Sequence, residues 1–320
     1  MSGTDVHQHL WSEELVAELS RRREAPLIRR RGRGRGWVLR LRDEPEHAFD
    51  PAAHDPRARR ELLAVDGIER ALLCISSPLG IEALERREAE PLLAAHNATA
   101  RELGAGFGVW GAVSLRPPDA RDVDDLLDAG AVGISLPAGA LSSPDGLERC
   151  GPLLERLERR DAPLLVHPGP GPWRAWRPQP YAIDDAPGWW PAMTRYVSDM
   201  SAAWHAFAAF GRAAHPNLRV LFAMLAGAAP LHGERLAARG GPAGAVIDDR
   251  LFYDTSSYGV RAIDALVRCV GIDQLVHGSD RPVVDAAPPA LLGPAAGEAM
   301  VGANVTRLLG ERAPAAAVAA

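Results

Sequence analysis

The chain has 320 residues, 47% hydrophobic and 24% charged, with a formal net charge of -5. That is enough for one large domain with a full core, or two small ones, and a net acidic chain lacks the basic field on which nucleic-acid binding depends. Apart from histidine, every one of its 36 basic residues is arginine, which excludes Schiff-base lysine chemistry, pyridoxal phosphate attachment, a P-loop lysine and a carbamylated lysine bridging two metals.

The first element is Asp5-Val6-His7-Gln8-His9. In a β-strand, side chains two residues apart point to one side, so His7 and His9 aim together as two metal ligands should. Ser12, followed by Glu13 and Glu14, reads as the N-cap of a helix reaching Arg23. The basic run from Arg29 to Gly36, closed by Trp37 to Leu41, reads as a solvated β-hairpin with a glycine turn; the competing reading, a nucleic-acid arm, conflicts with the acidic balance of the chain. Residues Glu44 to Pro56 read as loop. The segment 12–60 is thus an excursion after the first strand.

From Arg57 onward, helical patterns alternate with short apolar runs. The runs are Ala71–Ile75, Phe107–Val113, Val132–Leu136, Pro163–His167, Leu218–Ala223, Leu251–Thr255 and Gln274–Asp280. The helical stretches are Ala58–Asp66, Ile81–Leu103, Asp122–Ala129 and Leu147–Arg160, with Met193–Arg212 also periodic. Together with the first stretch this gives eight strands in α/β alternation. The fold class expected is α/β, a closed (β/α)8 TIM barrel of one domain over 1–312, with 12–60 inserted after strand one. An open doubly wound sheet is the alternative, and no Gly-x-Gly-x-x-Gly follows a strand to support it. The Ala-rich tail, 313–320, has nothing to bury against and is expected to be disordered.

A barrel gathers the C-terminal ends of its strands at one mouth. There this chain places His7 and His9 (strand one), His167 (five), Asp254 and Thr255 (seven) and Asp280 (eight). Three imidazoles and a carboxylate can hold one divalent cation, with a position open for water or substrate. Pro168-Gly169-Pro170 forces the chain out of its strand just after His167, and Asp280 stops the last strand. His277 alternates away from Asp280 toward the helices and is read as structural. Between Pro168 and Trp204 lie Trp173, Trp176, Tyr181, Trp189, Trp190, Tyr196 and Trp204. Trp204 is assigned to the core. Trp173, Trp176 and Trp11 are candidate pocket walls, and Arg174 and Arg177 candidate clamps for a carboxylate. Met224 and Arg281 complete the candidate substrate contacts. The substrate expected is a flat or cyclic organic acid, amide or lactone.

These pieces resemble the amidohydrolase superfamily, in the amidohydrolase-related group that includes aminocarboxymuconate-semialdehyde decarboxylase and the resorcylate-type decarboxylases. The matching stretches are Asp5 to His9, Val166-His167-Pro168, Pro216 to Val220, Phe252 to Ser256, Gly278 to Pro282 and Asn304 to Gly310. The resemblance spans nearly the whole chain outside 12–60. It implies a single metal, usually zinc or manganese, held by His7, His9, His167 and Asp280; the missing lysine agrees with the one-metal subtype. The chain departs from the pattern at strand six, where the group carries a histidine that acts as acid and base beside the metal. Met224 stands there, and a thioether neither takes up nor releases a proton at neutral pH. Three consequences compete: His232 or Asp280 has taken over the proton; Lewis acidity alone suffices; or the barrel binds without turnover.

The function expected is metal-dependent hydrolysis, with Asp280 relaying the proton; the alternatives are non-oxidative decarboxylation and a binding barrel. Three widely spaced cysteines, Cys74, Cys150 and Cys269, fit a reducing compartment. No signal peptide or membrane span is read, so the location expected is cytoplasmic. A small-molecule substrate is the expected partner, with no nucleic acid and no membrane; a homodimer is expected only from the resemblance.

Overall fold

The apolar runs assemble into a single parallel sheet that curls back on itself. The structure is a computed structural model, and it describes residues 3–32, 36–42, 44–173, 187–242, 244, 246–284 and 287–313. In chain order its strands are β1 (Gly3–Gln8), β2 (Leu27–Arg30), β3 (Trp37–Arg40), β4 (His47–Phe49), β5 (Ile68–Leu73), β6 (Phe107–Ala112), β7 (Gly133–Pro137), β8 (Leu164–His167), β9 (Val220–Phe222), β10 (Leu251–Asp254) and β11 (Leu275–Val276). Eight of them form one sheet in the order β1-β5-β6-β7-β8-β9-β10-β11, and β2-β3-β4 form a second, antiparallel sheet. Beyond β11 the chain meets β1 again. Val6 N donates to His277 O at 2.9 Å, Asp280 N to His7 O at 2.9 Å and His9 N to Arg281 O at 2.7 Å. The result is a nearly closed (β/α)8 barrel.

Burial explains why these runs are strands. Every residue of β1, β6 and β7 is buried, as expected where helices cover one face and the barrel interior the other. Trp110 of β6 is fully buried and its Nε1 donates to Val6 O at 2.9 Å, reaching past β5 to β1. Only glycine lets β7 pass beside it: a Cβ on Gly133 would stand 2.2 Å from Pro163 O and 2.8 Å from the Trp110 ring. Outside the sheet, Leu153, Leu154 and Leu157 of the helix Pro144–Arg159 share a buried cluster with Ile263 and Leu266 of the helix Val260–Val270. Trp204 belongs to the same cluster, as its sequence context indicated, and its Nε1 donates to Tyr253 Oη at 3.0 Å.

The inserted segment begins with the capped helix: Leu15 N donates to Ser12 Oγ at 3.2 Å, and the helix runs Glu13–Arg21. The basic run does form a hairpin, with Arg30 opposite Trp37 and Leu27 opposite Arg40. Two expectations need correction. Residues 44–56 are not all loop, since β4 adds to β3 and a 3-10 turn follows at Pro51–His54. The cause is aromatic burial: Trp11 stacks on Phe49 and His54 with centroids 5.3 and 5.0 Å apart, which draws this segment onto the end of β1. The helix expected from Ile81 starts at Arg86, because Gly80, at φ 68°, separates two 3-10 turns before it. No helix among the described residues is long and apolar enough to cross a membrane. Arg174, Trp176, Arg177, Tyr181 and the tail beyond residue 313 lie outside the described residues.

Candidate metal centre

Three imidazoles meet at the mouth. β1 presents His7 and His9 on one side, and β8 ends on His167, which points in from across the barrel. His167 Nε2 is 3.1 Å from His7 Nε2, and His7 Nε2 is 3.3 Å from His9 Nε2. The three ring centroids are 4.9 to 5.1 Å apart, with the planes near perpendicular. Asp280 closes the group: its Oδ1 is 3.1 Å from His9 Nε2 and 3.6 Å from His7 Nε2. It is held there by a left-handed backbone, φ 57°, which aspartate tolerates better than most residues. Gly278 lets the chain approach, since a Cβ there would stand 2.9 Å from the Cβ atoms of both Asp254 and His7.

The outer nitrogens fix what the inner ones can do. His9 Nδ1 is 3.0 Å from Cys74 O and His167 Nδ1 is 2.8 Å from Pro168 O. A carbonyl oxygen only accepts, so both Nδ1 atoms carry a proton. His7 Nδ1 donates to Asp254 Oδ2 at 2.6 Å. In the neutral rings all three Nε2 atoms are therefore bare acceptors aimed at one point, which is how second partners prepare a histidine for a metal. Two nitrogens bound to one zinc at about 2.0–2.1 Å and a tetrahedral angle stand about 3.3 Å apart, so the observed spacing fits a shared cation.

The electrostatics favour positive charge at the same point, as a proton or as a cation that displaces it. Burial, then the charges of His7 and His9, push the His167 imidazole well below its ordinary value. Burial also works against charge on His7 and His9, but Cys74 with Asp254 around His7, and Cys74 with Asp280 around His9, raise both, His9 to about 9. Burial would raise Asp254, yet His7 and Ser256 hold it below the usual carboxylate range; Asp280 is lowered in the same way by His9 and His7. The surroundings thus draw positive charge to the point where the imidazoles converge. Asp254 also anchors the backbone, its Oδ1 accepting from Met224 N at 2.9 Å and Ser256 N at 3.0 Å. Asp254→Asn removes the acceptor that keeps the proton on His7 Nδ1. Metal affinity is expected to fall about 10- to 100-fold with the fold intact, measured by competition against a chelator.

The remaining predicted residues are spread around this centre. Trp11 follows the ligand pair in sequence; its Nε1 donates to Ser76 Oγ at 3.2 Å and its backbone N to His54 Nδ1 at 3.1 Å. Trp173 packs against the core with Nε1 donating to Ala140 O at 3.2 Å and the Arg149 guanidinium 5.7 Å from its ring. Arg281 pairs with Asp66 at the end of the helix Pro56–Val65. Met224 opens a run of five left-handed residues, Met224 to Ala228, with φ between 43° and 64°. Such a conformation costs about 1–2 kcal/mol for each non-glycine residue. His232, at the far end of this segment, is exposed and lines a groove with His205, Arg235, Leu236 and Arg239. Among the described residues no hydrogen bond or ion pair joins it to the three imidazoles.

Two contributors escaped the sequence. Arg59, buried at 2% exposure, donates from Nη1 to Gln8 Oε1 at 2.8 Å and His9 O at 3.3 Å, and from Nη2 to Ala53 O at 3.0 Å. It ties the inserted segment to the strand that carries the ligand pair. Cys74, just past β5, stands with His7, His9 and His167 in a fully buried set whose ligand-forming atoms all lie within 4.8 Å of one another.

Known proteins are similar to this chain over nearly its whole length. The family model described as Amidohydrolase matches residues 4–300. Apo IDCase from Metarhizium anisopliae is similar in structure, with a TM-score of 0.78 at 16% identity, covering 96% of this chain and 97% of that one. 2,6-Dihydroxybenzoate decarboxylase from Rhizobium gives 0.64 at 18%, covering 97% and 98%. A mutant of 5-carboxyvanillate decarboxylase from Novosphingobium aromaticivorans, with bound manganese, gives 0.72 at 15%, covering 96% and 97%. At these identities the likeness establishes the fold. No curated protein sequence matches the chain. With the family model covering nearly its whole length, the chain belongs to the amidohydrolase family.

Proposed function

We propose that this protein is a metal-dependent carboxy-lyase that releases carbon dioxide from a small aromatic acid. The observation that carries the reading is the convergence of three Nε2 atoms, 3.1 and 3.3 Å apart along the His167–His7–His9 path, at the barrel mouth. What supports the choice of reaction is that two whole-chain structural neighbours are named as decarboxylases of 2,6-dihydroxybenzoate and 5-carboxyvanillate. A divalent cation held there, zinc or manganese, supplies Lewis acidity to a substrate oxygen.

The chain's own residues do the rest. His7, His9 and His167 hold the cation, and Asp254, Cys74 O and Pro168 O orient them. Loss of carbon dioxide leaves electrons on the ring carbon, which must take a proton. Met224 supplies none, so Asp280, at the edge of the cluster with Oδ2 accepting from Ser257 Oγ at 3.2 Å, is assigned to relay it, taking a proton from solvent or a substrate hydroxyl and passing it to the carbon. Trp11, two residues past His9 and stacked on Phe49 and His54, is the flat side chain assigned to meet the aromatic ring.

Met224 also favours a second reading. Hydrolysis of an amide or lactone asks for a proton acceptor, which a carboxylate such as Asp280 provides, whereas decarboxylation asks for a donor. The test is a product assay of the zinc- and manganese-loaded protein on hydroxylated benzoates and on lactones. Carbon dioxide released in step with a decarboxylated phenol is expected. Ring-opened lactone without carbon dioxide makes it a hydrolase, and no turnover with retained metal makes it a binding barrel.

A further inference from the structure

The cluster at the mouth holds one side chain that the His-and-carboxylate set leaves without a task. Cys74 is buried at 1% exposure, and its thiol stands 3.7 Å from Gln8 O and 3.6 Å from His9 Nδ1. A thiol is a weak donor, and at these lengths neither contact accounts for its position. Its backbone is pinned, because Cys74 N donates to Gln8 O at 2.9 Å while Cys74 O accepts from His9 Nδ1 at 3.0 Å. The sulfur can therefore move only by rotation about its own Cα–Cβ bond.

We propose that the Cys74 sulfur is a direct ligand of the cation held by His7, His9 and His167. This rests on the metal-centre reading above and deepens it. The four ligand-forming atoms lie within 4.8 Å of one another. On one tetrahedral ion, a nitrogen at about 2.1 Å and a sulfur at about 2.3 Å stand about 3.6 Å apart, so rotation of the Cys74 side chain and up to about an ångström of closure complete the set. On binding, the S–H bond breaks, its electron pair goes to the cation and the proton leaves to solvent.

Two consequences follow from sulfur as a donor. A thiolate is soft and favours zinc or cobalt over manganese. It also supplies a fourth protein ligand, which leaves the Asp280 carboxylate free to carry a proton beside the cation, where strand six offers only Met224.

The test is optical. Metal-free full-length protein is titrated with cobalt(II), which reports its ligands by colour: visible d–d bands show that cobalt is bound, and an intense near-ultraviolet charge-transfer band shows a sulfur ligand. The wild type is expected to show both. Cys74→Ser and Cys74→Ala should keep the d–d bands and lose the charge-transfer band, and the zinc-over-manganese preference should drop at least about tenfold. Cys150→Ser and Cys269→Ser should keep both bands. Wild-type d–d bands without charge transfer, or a band that survives in Cys74→Ser, overturn the assignment of Cys74 while leaving the three-histidine centre in place. No visible cobalt spectrum at all overturns the centre and this assignment with it.

Discussion

His167→Ala is expected to abolish turnover and to release the cation. His7 and His9 come from one strand, and His167 alone brings a nitrogen from across the barrel, 3.1 Å from His7 Nε2. Without it the remaining nitrogens hold the ion from one side. The loss in affinity should exceed the ~100-fold that follows from removing a hydrogen-bond partner behind a ligand. The stability readout separates this from misfolding. A ligand that binds only the folded state adds about 2.7 kcal/mol at 100 times its dissociation constant. Adding metal should therefore raise the unfolding midpoint of the wild type and leave that of His167→Ala unchanged, while the two metal-free proteins unfold in the same cooperative way.

The second large effect runs upward. Met224→His is expected to raise kcat by about a hundred- to ten-thousand-fold. The position is built to accept it. Met224 has φ 43°, a region that histidine enters more readily than methionine. Its backbone N–H is already held by Asp254 Oδ1 and by Ser256 Oγ at 3.1 Å, so the new ring starts from a fixed point next to His7's partner. The gain should appear with a new alkaline limb in the pH profile of kcat, as the added imidazolium loses the proton it donates. A variant that folds and binds metal but shows no gain would mean that proton supply does not limit the reaction, and that Asp280 already meets the need.

Much of the centre was legible because it depends on local rules. A period of two puts His7 and His9 on one side whatever the fold, and strand-ending signals put His167 and Asp280 at the rim. The eight strands were legible from their apolar runs, with ends off by one to three residues; the last is shorter than its run because the chain leaves β11 early to pair with the end of β1. What the sequence hid was decided by neighbours distant in the chain. Asp254 meets His7 across 247 positions, and Cys74 meets Gln8 and His9 only because β5 lies beside β1. β4 has little strand propensity of its own and exists because Trp11, Phe49 and His54 stack. The left-handed run after β9 contains a single glycine, Gly227, so no composition signal announced it. That turn is also why counting residues could not place His232, which the structure puts in a separate groove.

The account stands on a cation shared by His7, His9 and His167. The most direct measurement is anomalous diffraction from crystals grown with zinc or manganese, paired with the metal content of the same preparation. One peak per chain, within bonding distance of all three Nε2 atoms, with about one equivalent of metal, is the predicted result. A metal-free protein, or a peak elsewhere on the chain with the three nitrogens bare, would contradict it.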